Sequence, residues 1–141
     1  MASIEYRVWF EEFGDIGSVL GPTELFKEEK LLQAIGIRLF DAGSVSLKYT
    51  VSVNGNFYGF EENGNLIGTK ETGRFINGLV IIVNVNSGLS GLFTSLPNMD
   101  CQIKPRGGNW QSVGFITEGK TRTYKAENFG SGIEGLKIIL S

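Results

Sequence analysis

Apolar residues alternate with polar ones in three separate stretches of the chain, and each stretch ends on the same phrase. Gln33-Ala34-Ile35-Gly36-Ile37-Arg38-Leu39, Asn77-Gly78-Leu79-Val80-Ile81-Ile82-Val83 and Glu134-Gly135-Leu136-Lys137-Ile138-Ile139-Leu140 carry apolar side chains at their third, fifth and seventh positions, and Leu32, Ile76 and Ile133 precede them. A period of two is the signature of a strand with one buried face. Leu32, Ile76 and Ile133 stand 44 and 57 positions apart. The chain therefore reads as three copies of one supersecondary unit, about 4–40, 45–83 and 99–140, with an insertion at 84–98.

Each unit also opens on an alternating run: Tyr6-Val8-Phe10, Tyr49-Val51-Val53 and Cys101-Ile103-Pro105. A glycine follows each run, with Ile16, Phe57 or Trp110 two residues beyond it. The middles are rich in turn residues, as in Gly21-Pro22-Thr23 and Glu118-Gly119-Lys120-Thr121, and Asn63-Gly64 supplies the positive φ angles of a two-residue hairpin. The expected fold is all-β: a pseudo-threefold β-prism-like domain of three strand-rich repeats, with a β-trefoil as the alternative. Long regular outer strands suit flat sheets that meet at one core, and the Gln-x-Trp pattern common in trefoils is absent. Between Thr23 and Ile35, glutamates flank Leu25, Phe26, Leu31 and Leu32, which predicts at most one turn of helix. The insertion, with Val85, Leu89, Leu92, Phe93 and Leu96, is expected to add a strand or to cover an apolar patch.

With 141 residues, 20 of them glycine and 3 proline, the chain suits one turn-rich β domain. Its 13 basic and 15 acidic residues form no basic run, so no nucleic-acid partner is expected. No stretch has the length of a membrane-spanning helix, and Met1-Ala2-Ser3 leads into a strand without a signal-peptide pattern. The single cysteine, Cys101, lies in an alternating strand and reads as a small buried hydrophobe. There is no histidine, which removes the usual general base and the commonest metal ligand. Glu11-Glu12, Glu28-Glu29 and Glu61-Glu62 are sequence neighbours, and strand neighbours point to opposite faces, so they read as solvated residues rather than cooperating acids. Phosphate-binding and calcium-loop patterns are absent as well. Neither an enzyme nor a cofactor or metal is expected.

The middle unit resembles a clostridial hydrophobic-W (ChW) repeat. The residues that carry the likeness are Leu47-Lys48-Tyr49-Thr50-Val51-Ser52-Val53, Gly55-Asn56-Phe57, Asn63-Gly64, Ile67-Gly68-Thr69, Gly73-Arg74 and Ile76-Asn77-Gly78-Leu79-Val80-Ile81. The third unit supplies the tryptophan in Gly108-Asn109-Trp110-Gln111 and the glutamate Glu134, and the first keeps Tyr6-Arg7-Val8. An extra residue separates the glycine from Phe57 and from Trp110, and two units lack the tryptophan. The resemblance implies an exported or surface-attached protein of Gram-positive bacteria that binds polysaccharide or other cell-surface partners, without catalytic residues.

A rigid β frame with polar and aromatic turns suits a lectin-like binding module. A sugar needs an aromatic platform beside fixed amides and carboxylates. Asn109, Trp110 and Gln111 form one candidate cluster, and Asn56, Phe57 and Tyr58, with Glu62 and Asn63 further on, form another. Trp110 and Phe57 are alternatively core residues at equivalent positions. The third unit is expected to bind best and the first, without an aromatic-amide cluster, to be silent. Trp9 lies on the face opposite Val8 and Phe10, and with Phe13 it marks a candidate homo-oligomer face. The competing class is an assembly subunit of a surface or toxin complex. Because no ligand set for a metal is evident, chelator treatment is expected to leave the melting temperature unchanged, and a fall of several degrees would reveal an oxygen-ligand site.

Overall fold

The computed structural model describes residues 2–88, 91–92 and 94–141, which form strands, turns and no α-helix. The first unit supplies β1 (Ser3–Phe10), β2 (Gly14–Asp15), β3 (Val19–Leu20), β4 (Leu25–Phe26) and β5 (Leu32–Phe40). The second supplies β6 (Val45–Val53), β7 (Asn56–Phe57), β8 (Ile67–Gly68) and β9 (Ile76–Val85). The third supplies β10 (Met99–Pro105), β11 (Gln111–Ser112), β12 (Phe115–Glu118), β13 (Thr121–Ala126) and β14 (Ile133–Leu140).

Three antiparallel sheets result, in the orders β2-β1-β5-β8, β11-β10-β14-β4 and β12-β13-β9-β6-β7, with β3 also paired to β1. In each sheet the first and last strands of one unit lie side by side, and a strand from another unit completes it. β8 pairs with β5, β13 with β9 and β4 with β14, so the donation runs around the molecule and closes on itself. β5, β9 and β14 approach one another pairwise at the centre. This is the prism-like, pseudo-threefold arrangement that the repeated phrase predicts.

The registers make the equivalence concrete. Val8 faces Ile35, Val51 faces Leu79 and Ile103 faces Leu136, while Phe10 faces Leu32, Val53 faces Ile76 and Pro105 faces Ile133. Between these two pairs the last strand of every unit carries one extra residue: Gln33, Asn77 or Glu134. Such a β-bulge bends the strand and re-aims its neighbours. Just before the last strands stand Leu31, Phe75 and Gly132. A Cβ on Gly132 would lie 2.9 Å from both Leu31 Cδ2 and Phe75 Cδ2. Three large side chains cannot meet at that point, and the third unit resolves the clash with a glycine.

The inner faces bury Ile4, Tyr6, Val8 and Phe10 of β1 with their counterparts in one core. The Tyr6 hydroxyl donates to the Thr23 carbonyl, and Tyr49, its counterpart, donates to the Asn65 carbonyl at 2.6 Å. Thr23 and Asn65 each lie two residues before the donated strand. In the third unit the pair is reversed. The first-strand position holds Cys101, and the position equivalent to Thr23 and Asn65, here within the longer donated strand β13, holds Tyr124, whose hydroxyl donates to the Met99 carbonyl at 2.8 Å. Desolvation raises the pKa of all three phenols, so they remain donors. Cys101 is fully buried, as its strand pattern predicts, and burial, helped by Asp100, pushes its thiol up to about 12.

Two stretches that the sequence left open take one of the expected forms. Thr23 to Ile35 forms no helix, because Leu25 and Phe26 pair with Leu136 and Gly135 while Leu32 begins β5. The apolar residues there answer to two sheets rather than to one helical face. The insertion adds no strand among its described residues beyond Val85. It covers instead: Leu96 packs on the core, Lys120 Nζ donates to the Gly91 carbonyl at 2.7 Å and Arg122 Nη1 to that of Pro97 at 3.1 Å. Leu89 and Phe93 lie outside the described residues.

If Cys101 and Tyr124 share one space, their substitutions should not add. Tyr124→Thr is expected to destabilise by about 3–5 kcal/mol through the cavity left, and Cys101→Tyr by about 1–3 kcal/mol through overpacking. The double variant should recover at least about 1 kcal/mol of the summed loss in urea unfolding. Simple additivity would contradict the reciprocal exchange.

Candidate functional site

At one end of each sheet, the bulge residue of one unit holds a loop of the next. Gln33 Nε2 donates to the carbonyls of Glu71 and Arg74, both at 2.8 Å. Asn77 Nδ2 donates to the Phe129 carbonyl at 3.1 Å, and its Oδ1 accepts from the Asn54 N–H at 2.7 Å. Glu134 accepts from the Glu29 N–H, from Lys104 Nζ at 2.7 Å and from the Gly107 N–H at 3.1 Å. The bulge carbonyls of Gln33 and Asn77 also accept from Thr69 and Phe129 N–H groups. One device thus recurs three times, and beside it lie three equivalent clefts.

The cleft between units two and three is an open groove of about 380 Å3. Phe57 and Phe75 supply aromatic surface, and Asn54, Asn77, Glu127 and Asn128 supply polar groups. Asn54-Gly55 forms the β6–β7 turn with both residues at positive φ, and Asn128 also has positive φ, 68°. Among the described residues, the Asn54 and Asn128 side-chain amides have no partner. Lys125 lies 5.9 Å from the Phe57 ring centroid and 3.6 Å from Glu127 Oε1.

The cleft between units one and two is smaller, about 270 Å3, and is lined by Trp9, Glu11, Glu12, Gln33, Lys70 and Thr72. The third cleft is closed by its own side chains. Trp110 packs against Phe26, with ring centroids 6.4 Å apart, and over Gly135, where a Cβ would come within 2.7 Å of the indole. Lys104 Nζ sits 4.8 Å from the Phe26 ring centroid and pairs with Glu134.

The residues singled out from the sequence are therefore dispersed. Trp110 is half-buried in the closed cleft, with Asn109 and Gln111 exposed beside it. Phe57 reaches the open groove with 38% of its surface exposed, whereas exposed Asn56 and Tyr58 do not line it. Glu62 and Asn63 lie toward the other end of β6, near Leu39 and Val45. Asn63 and Gly64 do have the expected positive φ. The register also replaces Ile16 with Asp15 as the counterpart of Phe57, since Asp15 faces Trp9 as Phe57 faces Ser52. Trp9 is on the expected outer face but is half-buried, with Lys70 Nζ 4.4 Å from its ring centroid.

Sequence reasoning missed Asn54, Phe75, Asn77, Glu127 and Asn128. The Asn54-Gly55 dipeptide and the recurring polar residue at 33, 77 and 134 were signals for two of them. Glu127 and Asn128 enter from another unit and carry no such signal. Among the described residues, no cluster of His, Cys, Asp or Glu could hold a metal ion, and no helix is long and apolar enough to cross a membrane. Comparisons with family models, curated proteins and solved structures find no match to the chain.

Burial pushes the Glu134 carboxyl up, but Lys104 and the Gly107 and Glu29 N–H groups outweigh it and hold its pKa below the usual value of 4.5. Its stabilisation is therefore complete above that value and is lost as pH falls through the lower folded pKa. Glu134→Gln should cost about 3 kcal/mol at neutral pH, because Lys104 loses its anion, and should flatten the acid limb of the stability curve. An acid limb unchanged from the parent would exclude Glu134 as its source.

Proposed function

We propose that this chain is a non-catalytic binding module that recognises carbohydrate, a cell-surface glycan or polysaccharide, in the groove between units two and three. The observation that carries this reading is the pairing of exposed Phe57 and half-buried Phe75 with the unengaged amides of Asn54 and Asn128 in one open groove. Pyranose rings present apolar faces edged by hydroxyls. An aromatic wall covers the first and amides, each both donor and acceptor, satisfy the second. The backbone of the groove is held by the Asn77 tie, so little ordering is required on binding. Exposed Tyr58 and Phe60 continue the aromatic surface along the sheet edge. The resemblance to ChW repeats supports the same class of ligand and a place outside the cell or on its surface.

Affinity for a single saccharide is expected to be weak and to rise when several sites are engaged. On an oligosaccharide array, Phe57→Ala and Asn128→Ala should each abolish or strongly reduce binding while changing stability by less than about 1 kcal/mol. Undiminished binding by both folded variants would exclude this groove.

A second reading, an assembly subunit, draws on the edge strand β12. Its Phe115 and Ile116 are exposed, the latter by 68%, and an open edge with apolar side chains can pair with another chain. Light scattering separates the readings. Association that Ile116→Lys abolishes, without glycan binding, would favour assembly.

A further inference from the structure

We infer that the cleft between β1 and the 70–73 loop is a second saccharide site, with the Trp9 indole as its platform and Lys70 as a displaceable cover. This rests on the carbohydrate reading of the Phe57 groove and extends it from one site per chain to two. The two clefts are built from the same parts. Trp9 stands where Ser52 stands in the second unit, beside the bulge, and Gln33 where Asn77 stands. The platform thus comes from β1 in one cleft and from β7 in the other. That difference is why the first unit, lacking an aromatic residue after its turn, reads as silent in the sequence.

The chemistry of the cleft suits a neutral pyranose. Trp9 is half-buried, its ring edge resting on Gly14, where a Cβ would lie 3.5 Å from the indole. Glu11 accepts from the Leu31 N–H at 3.3 Å and Glu12 pairs with Lys30 Nζ at 2.6 Å, and their remaining acceptor positions, with the Thr72 hydroxyl, edge the cleft with groups that bind sugar hydroxyls. Lys70 occupies the ring face through its ammonium alone, and among the described residues it makes no ion pair. An exposed cation–π contact is weak and can be exchanged for a stacked ring. The third cleft offers no such opening, because Trp110, Phe26 and the Lys104–Glu134 pair fill it.

Trp9 and Trp110 are the two tryptophans of the chain, so a Trp110→Phe variant makes Trp9 the sole indole reporter. Titrated with soluble oligosaccharides of glucose, mannose and N-acetylglucosamine, it should show a saturable change in emission. Calorimetry on the parent chain should give two sites. Phe57→Ala should leave one site and keep the Trp9 signal, while Trp9→Ala should leave one site at the Phe57 groove. Lys70→Ala should tighten the Trp9 site by about threefold. Should Trp110→Phe not fold, fluorine NMR of the fluorotryptophan-labelled parent reports the two indoles separately. One site per chain, lost in Phe57→Ala and silent at Trp9, would overturn this inference and leave the Phe57 groove intact. No binding of any of these sugars at either cleft would overturn both.

Discussion

Each unit lacks the strand that finishes its own sheet, and the backbone hydrogen bonds of β4, β8 and β13 to a different unit supply it. A β-sheet edge with unpaired N–H and C=O groups is costly when buried. No unit can therefore satisfy its last strand alone, and the ring must close as a whole. The closure joins β4, near the start of the chain, to β14, at its end. Such long-range pairing carries a high contact order, which slows folding.

The cyclic exchange also determines where clefts can form. A donated strand ends beside its host's bulge, and the loop that follows must be held there by something polar. Gln33 and Asn77 do so as amides, donating to loop carbonyls, whereas Glu134 does so as a carboxylate, accepting N–H groups and an ammonium. The choice of group sets the character of each cleft. Where the tie is a neutral amide, no counter-ion is required and the space beside it stays open. Where it is a buried carboxylate, Lys104 is drawn in over Phe26, and with Trp110 it fills the cleft.

The units also diverge in compensating pairs, so that the core stays full while the surfaces change. Tyr124 replaces from the donated strand what Tyr6 and Tyr49 provide from the first strand, which permits the small Cys101. Gly132 makes room for Leu31 and Phe75 on the axis. Close packing demands such exchanges, because an interior tolerates neither a void nor a surplus ring.

Much of the frame was legible in the sequence. Alternation in the three repeated phrases located the long strands, because burial on one face imposes a period of two whatever the strand pairs with. The spacing of their equivalents gave the threefold plan. Even the bulge has a mark: Leu32 to Ile35, Ile76 to Leu79 and Ile133 to Leu136 each step by three where the rest steps by two. What only the tertiary structure decided was which unit each short strand serves. Leu25-Phe26 and Ile67-Gly68 are too short to announce a partner, and the partner lies in another unit. The clefts followed from that choice. Phe57 faces the groove and Trp110 seals one, although local sequence treats them alike, because the residues that meet them, Asn128 and Phe26, arrive from different units.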